Sequence, residues 1–157
     1  HVYTRSDACG AAEIWAMYLG GKQEDLSGVG VYGDPGLAMA VQQDPNGIGF
    51  NNIGYAYDFN TKLQVSGLRT VPIDLDGSGS VEDSESFYQS VDSLISAISS
   101  GRYPSPPSRE LFFVIRDSSL NNKVLKDFLR WVLTEGQKYA GEAGYVKLPG
   151  RSLEKLL

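Results

Sequence analysis

The sequence has little histidine and cysteine and lacks any long apolar run. Its 157 residues include one histidine, His1, and one cysteine, Cys9. A lone cysteine excludes an internal disulfide and a zinc site built from several cysteines. The longest apolar run, from Leu111 to Ile115, is far shorter than the ~20 residues that span a bilayer, so we predict no transmembrane segment in this chain.

Basic residues are also scarce. The chain has 14 Lys and Arg against 19 Asp and Glu, and its net charge is −5. Binding to a polyanionic backbone needs a basic surface, so this composition argues against nucleic acid as a partner. The charge is unevenly divided, with a net −9 in residues 1–101 and +4 in residues 102–157. We therefore expect the two parts to have different roles.

Helical and extended patterns alternate along the chain, which predicts an α/β fold. Asp34 is expected to cap the second helix, with Pro35 in its first turn. The predicted helices cover 11–19, 36–43, 87–98 and 124–132. The predicted strands lie at 2–4, at 48–50 and 53–57 with a turn at residues 51–52 between them, and at 111–115, the last of them buried. The proline-rich stretch 103–108 cannot enter a sheet interior, and we place a segment boundary there.

The first candidate site is the turn before the first helix, where Arg5, Asp7, Cys9, Gly10 and Ala11 follow a short extended segment. Unpaired N–H groups at a helix start, together with a guanidinium, suit a tetrahedral oxyanion. An ionised Asp7 can only accept hydrogen bonds, so it would favour an anion that retains a proton, such as phosphate, over sulfate.

Two other interpretations of this turn stay open. Asp7 could cap the helix while Arg5 pairs with a surface carboxylate. Cys9 could instead be a nucleophile activated by the helix start and Arg5, as in a hydrolase. That mechanism needs a base, and the one histidine, His1, is the first residue of the sequence.

The same turn resembles the anion-binding turn of periplasmic phosphate-binding proteins, the solute receptors of phosphate ABC transporters, in which Arg-x-Asp-x-Ser-Gly-Thr precedes a helix. The resemblance continues in order through most of the chain. It includes Gly33 to Leu37, Gly47 to Phe50, Tyr55 to Tyr57, Phe128 to Trp131 with Glu135 to Lys138, and Tyr145 to Pro149.

This resemblance implies a periplasmic binding protein-like lobe of type II, with a mixed sheet flanked by helices. Residues 1–103 would form the anion-binding lobe, and residues 104–157 the crossover and C-terminal segment of the other lobe, so we expect the chain to be a fragment of a two-lobed protein. Arg5, Asp7, Cys9, Gly10 and Ala11 would touch the anion. Cys9 and Ala11 stand where the family has serine and threonine, so two hydroxyl donors are missing.

The function implied by the resemblance is that of an extracytoplasmic solute-binding component of an ABC transporter. It would bind phosphate or a similar tetrahedral oxyanion outside the cell and deliver it to a membrane permease. The full-length protein would be periplasmic or held at the cell surface by a membrane anchor. By this resemblance the protein is not an enzyme.

A second candidate site is the acidic stretch 74–85, which fits the twelve-residue EF-hand template with glycine at its sixth position. The predicted ligands of a structural Ca²⁺ ion are Asp74, Asp76, Ser78, Ser80, Glu82 and Glu85. No helix is predicted before this stretch, so we expect a lone structural loop. The alternatives are a solvated acidic turn and, for the whole chain, a calcium-dependent surface or adhesive binding module.

Overall fold

The computed structural model describes residues 1–148 and Gly150. It divides the chain into two compact units, one from His1 to Arg109 and one that begins at Glu110. Pro149, the end of the Leu-Pro motif, lies outside the described residues. Within the described part of the chain, no helix is both long enough and apolar enough to cross a membrane.

The first unit begins with a parallel β-α-β arrangement. Strand β1 (Tyr3–Arg5) leads into helix α1 (Gly10–Tyr18), and strand β2 (Val29–Val31) leads into helix α2 (Gly33–Gln43). Tyr3 pairs with Val29 in a parallel register, and a short 3-10 turn, Gln23–Asp25, lies in the crossover. Both helices therefore start at the carboxyl ends of neighbouring strands, where α/β folds place their ligand sites.

The core of the first unit is built from two further helices, α3 (Ile53–Ala56) and α4 (Val91–Ser99), and from the residues just before α4. The buried cluster consists of Tyr57, Phe87, Tyr88, Val91, Leu94 and Ala97. The Tyr57 hydroxyl donates to the Tyr88 carbonyl at 2.8 Å, which satisfies its polar end inside this apolar cluster.

Three predicted elements of this unit differ from the structure. The strands predicted at 48–50 and 53–57 are reduced to isolated bridges of Ile48 with Val2 and of Tyr57 with Gln64, and residues 53–56 are helical. Ile53 and Tyr57 both face the core at a helical spacing of four, whereas Tyr55 is exposed. The helix predicted from residue 87 begins at Val91 instead, because the Ser90 hydroxyl caps it by accepting from the Ser93 N–H.

The second unit contains helix α5 (Lys123–Leu133) and two 3-10 turns, Asp117–Ser119 and Glu135–Tyr139. The Asn122 side chain caps α5 by accepting from the Leu125 N–H at 3.1 Å. The predicted buried strand 111–115 is wrong, since these residues form no strand and Val114 is 94% exposed. A short apolar run forms a strand only where it finds a pairing partner, and none lies among the described residues.

The core assignment predicts unequal effects of two leucine truncations. Leu94 is 6% exposed in the buried cluster and Leu63 is 58% exposed. Leu94→Ala should lower the free energy of unfolding by about 2–5 kcal/mol because it leaves a cavity. Leu63→Ala should change it by less than about 0.5 kcal/mol. Urea unfolding of both variants measures this, and equal effects would contradict the core described above.

Candidate oxyanion-binding site

The site is organised by Arg5, the last residue of β1. Its side chain is only 7% exposed, and it forms a bidentate pair with Asp7: Nε donates to Oδ1 at 2.8 Å and Nη2 donates to Oδ2 at 2.6 Å. Nη1 donates to Asp34 Oδ1 in the first turn of α2. A guanidinium has five N–H donors, so two of them have no acceptor among residues 1–148.

These contacts fix the charge state of Asp7. Its two hydrogen bonds from Arg5 hold the pKa of the carboxyl well below its usual range, with a further contribution from the Gly33 N–H. The same pairing raises the pKa of Arg5. Asp7 is therefore an ionised hydrogen-bond acceptor at neutral pH, as the proton-selection hypothesis requires.

The turn between β1 and α1 is held by Cys9 and Gln23. Cys9 is the N-cap of α1, and its Sγ accepts from the Ala12 N–H at 3.3 Å. The Cys9 N–H donates to Gln23 Oε1 at 3.3 Å, while Gln23 Nε2 donates to the Asp7 carbonyl at 2.9 Å. The cap predicted for Asp7 is thus wrong, because the thiol fills that role and the Asp7 carboxylate faces Arg5.

Two backbone donors remain at the start of α1. The Cys9 N–H, expected to be one of them, is already bonded to Gln23, whereas the N–H groups of Gly10 and Ala11 have no acceptor among residues 1–148. With the two remaining donors of Arg5 and the acceptor Asp7, they offer an oxyanion up to four N–H donors and one carboxylate.

The nucleophile interpretation of Cys9 gains no support from this geometry. The thiol is the cap of α1. The ring of His1, the only histidine in the sequence, contacts Asp44, with 2.6 Å between Nδ1 and Oδ2.

Four residues around the turn belong to the site without being predicted for it from the sequence. Asp34, expected to cap the second helix, lies inside α2 and pairs with Arg5. Asn51 and Asn52 hold Asp34 in place by donating to its carbonyl and to its Oδ2, each at 2.8 Å. The sequence pattern gives no indication that Gln23 holds the turn. No short sequence pattern predicts these contacts. A buried arginine at a strand end is nevertheless generally expected to pair with a second carboxylate.

The acidic loop brings three of its six predicted ligands together. Carboxylate oxygens of Asp74, Asp76 and Glu85 lie within 4.8 Å of one another. Asp74 Oδ2 accepts from the Gly79 N–H at 2.8 Å, and Gly79 has a positive φ of 81°, the tight turn that the template requires. Backbone hydrogen bonds lower the pKa of Asp74, and the largest contribution comes from the Gly79 N–H. Backbone hydrogen bonds also lower the pKa of Glu85, and there the largest contribution comes from the Leu75 N–H.

The other three predicted ligands are arranged differently. The Ser78 hydroxyl donates to Glu82 Oε1 at 2.6 Å and also contacts the Ser80 carbonyl. The second carboxylate oxygen of Glu82, Oε2, is buried without a hydrogen-bond partner. Neither side of the loop is directly flanked by a helix, because α4 begins only at Val91.

A comparison with protein families decides the assignment of the chain. A family model described as a PBP superfamily domain matches residues 1–135, which include the whole turn and the acidic loop. The chain belongs to the periplasmic binding protein superfamily. Comparisons with curated proteins and with solved structures gave no match.

Membership of the PBP superfamily agrees with the predicted fold and with the general role. The small parallel sheet with its helices is the α/β arrangement expected from the sequence. Binding of a small solute is the role that the match supports, and the family is typically non-enzymatic and extracytoplasmic.

The charge state of Asp7 predicts how stability depends on pH. The ionised carboxylate favours the folded protein, so its contribution is complete above the ordinary pKa of 3.8 and is lost as the pH falls below that value. Wild type should exceed Asp7→Asn in free energy of unfolding by a constant amount above about pH 5, and the gap should shrink below about pH 4.

Urea unfolding over this pH range measures the gap. Glu13→Gln removes an exposed carboxylate from α1 and serves as the control. A wild-type advantage over Asp7→Asn that stays constant down to about pH 2.5 would contradict the Arg5–Asp7 pairing.

Proposed function

We propose that this chain is the oxyanion-binding, type II lobe of an extracytoplasmic receptor that binds phosphate and passes it to an ABC permease. The observation that carries the proposal is the ionised Arg5–Asp7 pair beside the free N–H groups of Gly10 and Ala11. Fixed donors surround the anion, and one fixed acceptor selects for a proton on it. Membership of a solute-binding superfamily supports this interpretation.

Phosphate fits the set of donors and acceptors better than sulfate does. Near neutral pH phosphate keeps at least one proton, which can be donated to Asp7, whereas sulfate has none and would face an unsatisfied, like-charged carboxylate. The loss of two side-chain hydroxyls at Cys9 and Ala11 removes donors but leaves the acceptor unchanged. Discrimination between the anions therefore depends on Asp7.

Titrations with phosphate and sulfate test this proposal. Phosphate should shift the amide resonances of Gly10 and Ala11 at concentrations where sulfate does not. Asp7→Asn should reduce the preference for phosphate roughly tenfold, because a hydrogen bond to a charged group is lost and an amide can donate to sulfate. Glu13→Gln, the matched loss of one exposed charge on α1, should keep the preference.

Two results would contradict the proposal. One is the absence of shifts at Gly10 and Ala11 in millimolar phosphate. The other is an unchanged preference for phosphate over sulfate in Asp7→Asn.

We also propose that the loop 74–85 holds a structural Ca²⁺ ion. The residues fit the ion, because three carboxylates converge and the buried Glu82 Oε2 has no donor. Asp74, Asp76 and Glu85 would be its carboxylate ligands, and Ser78, Ser80 and Glu82 would complete the shell after a local rearrangement. The ion would offset part of the negative charge of the loop and hold the chain that leads to α4. No observation favours the calcium-dependent adhesive module.

Calcium should therefore stabilise the protein. At a Ca²⁺ concentration tenfold above a dissociation constant of about 1 mM, the gain is roughly 1.4 kcal/mol, or about 3–6 °C in melting temperature. Chelation should reverse it. Asp76→Asn should abolish the gain, whereas Asp83→Asn, an exposed carboxylate of the same loop outside the converging group, should retain it. Melting curves that do not respond to calcium or chelator would contradict the calcium loop.

A further inference from the structure

Arg109 lies against the start of α1, 99 residues away along the chain from Gly10. A methyl group placed on Gly10 would lie 2.5 Å from both terminal nitrogens of the Arg109 guanidinium and 2.8 Å from its central carbon. Only glycine leaves room for this approach. The guanidinium therefore packs directly on the residue that carries one of the two free N–H groups of the turn.

Arg109 places an exposed cation beside the start of a helix. The start of a helix carries a partial positive charge, which repels a cation. Among the described residues, no carboxylate forms a salt bridge with Arg109, in contrast to Arg5. A third source of positive charge thus lies beside the helix start, and the carboxylates of the turn, Asp7 and Asp34, are already bound to Arg5.

The charge balance around Arg5 gives the second reason. Arg5 is paired with two carboxylates, Asp7 and Asp34, so this group carries a net charge of −1. Arg5 can orient an anion through its two remaining donors, but it cannot supply net attraction. Arg109 is the guanidinium beside the turn whose charge is available for that purpose.

The chain before Arg109 is fixed, so its position is not that of a free tail. Tyr103 is anchored on α4, where its N–H donates to the Ala97 carbonyl at 3.1 Å. The following turn is closed twice onto the Pro104 carbonyl, by the Ser108 N–H at 3.1 Å and by the Ser108 hydroxyl at 2.9 Å. The proline-rich stretch thus holds the backbone of Arg109 near α1, while its exposed side chain can still adjust to a ligand.

We propose that Arg109 is a binding residue of the oxyanion site and supplies the positive charge that Arg5 cannot. This inference rests on the proposed function of the site. The two guanidiniums then have different roles. Arg5 sets the geometry through its fixed pairs, and Arg109 provides positive charge and a planar, bidentate fork for the anion.

Phosphate titrations of three variants test the role of Arg109. Arg109→Gln should weaken phosphate binding roughly tenfold or more, and Arg109→Lys, which keeps the charge without the fork, should fall between it and wild type. Arg69→Gln removes an equal charge from an exposed arginine of the same unit and should change the dissociation constant less than twofold. The Arg109 side-chain Nε resonance should shift on titration of the wild type.

The outcomes separate this inference from the function on which it rests. If wild type binds phosphate but Arg109→Gln binds equally well, or if Arg69→Gln weakens binding as much as Arg109→Gln does, the role of Arg109 is overturned and the site stands. If wild type shows no phosphate binding, both fail. Circular dichroism and melting curves confirm that the variants fold, which is expected because Arg109 is exposed and has no salt-bridge partner among the described residues.

Discussion

The ion pairs of Arg5 are the interaction on which the candidate site depends. A guanidinium that is 7% exposed has lost most of its hydration, and it is stable there because three of its donors meet Asp7 and Asp34. These carboxylates belong to different elements, the turn after β1 and the first turn of α2. The pairs thus link the carboxyl ends of the two parallel strands, and the starts of α1 and α2 take their positions from this link.

Because Asp7 and Asp34 offset its charge, Arg5 can orient a ligand through hydrogen bonds but adds no net positive charge to the site. With two carboxylates on one guanidinium, the centre of the site has many hydrogen bonds but no excess positive charge. Asp7 remains an ionised hydrogen-bond acceptor at the centre of the site. A receptor that relied on a surplus of cations would bind any anion, so a nearly neutral site favours discrimination over affinity.

Much of the local structure could be predicted from the sequence, because it follows from near neighbours. The turn residues 5–11, the start of α1 and the Asn122 cap of α5 are of this kind. The contacts of Arg5 with Asp34 and of Gly10 with Arg109 could not, since they join residues 29 and 99 positions apart and depend on the tertiary fold. Short apolar patterns failed for a related reason. The spacing of Ile53 and Tyr57 has meaning only relative to a core, and the run 111–115 needs a partner strand.

The crossed hydrogen bonds of Gln23 have a consequence for the entropy of binding. Its amide accepts from the Cys9 N–H and donates to the Asp7 carbonyl, so both ends of the turn are fastened to the crossover before any ligand arrives. The loss of conformational freedom in this turn accompanies folding, not association. A ligand then meets a rigid arrangement of N–H groups, and its encounter with the site resembles docking to a preformed surface rather than the ordering of a loop.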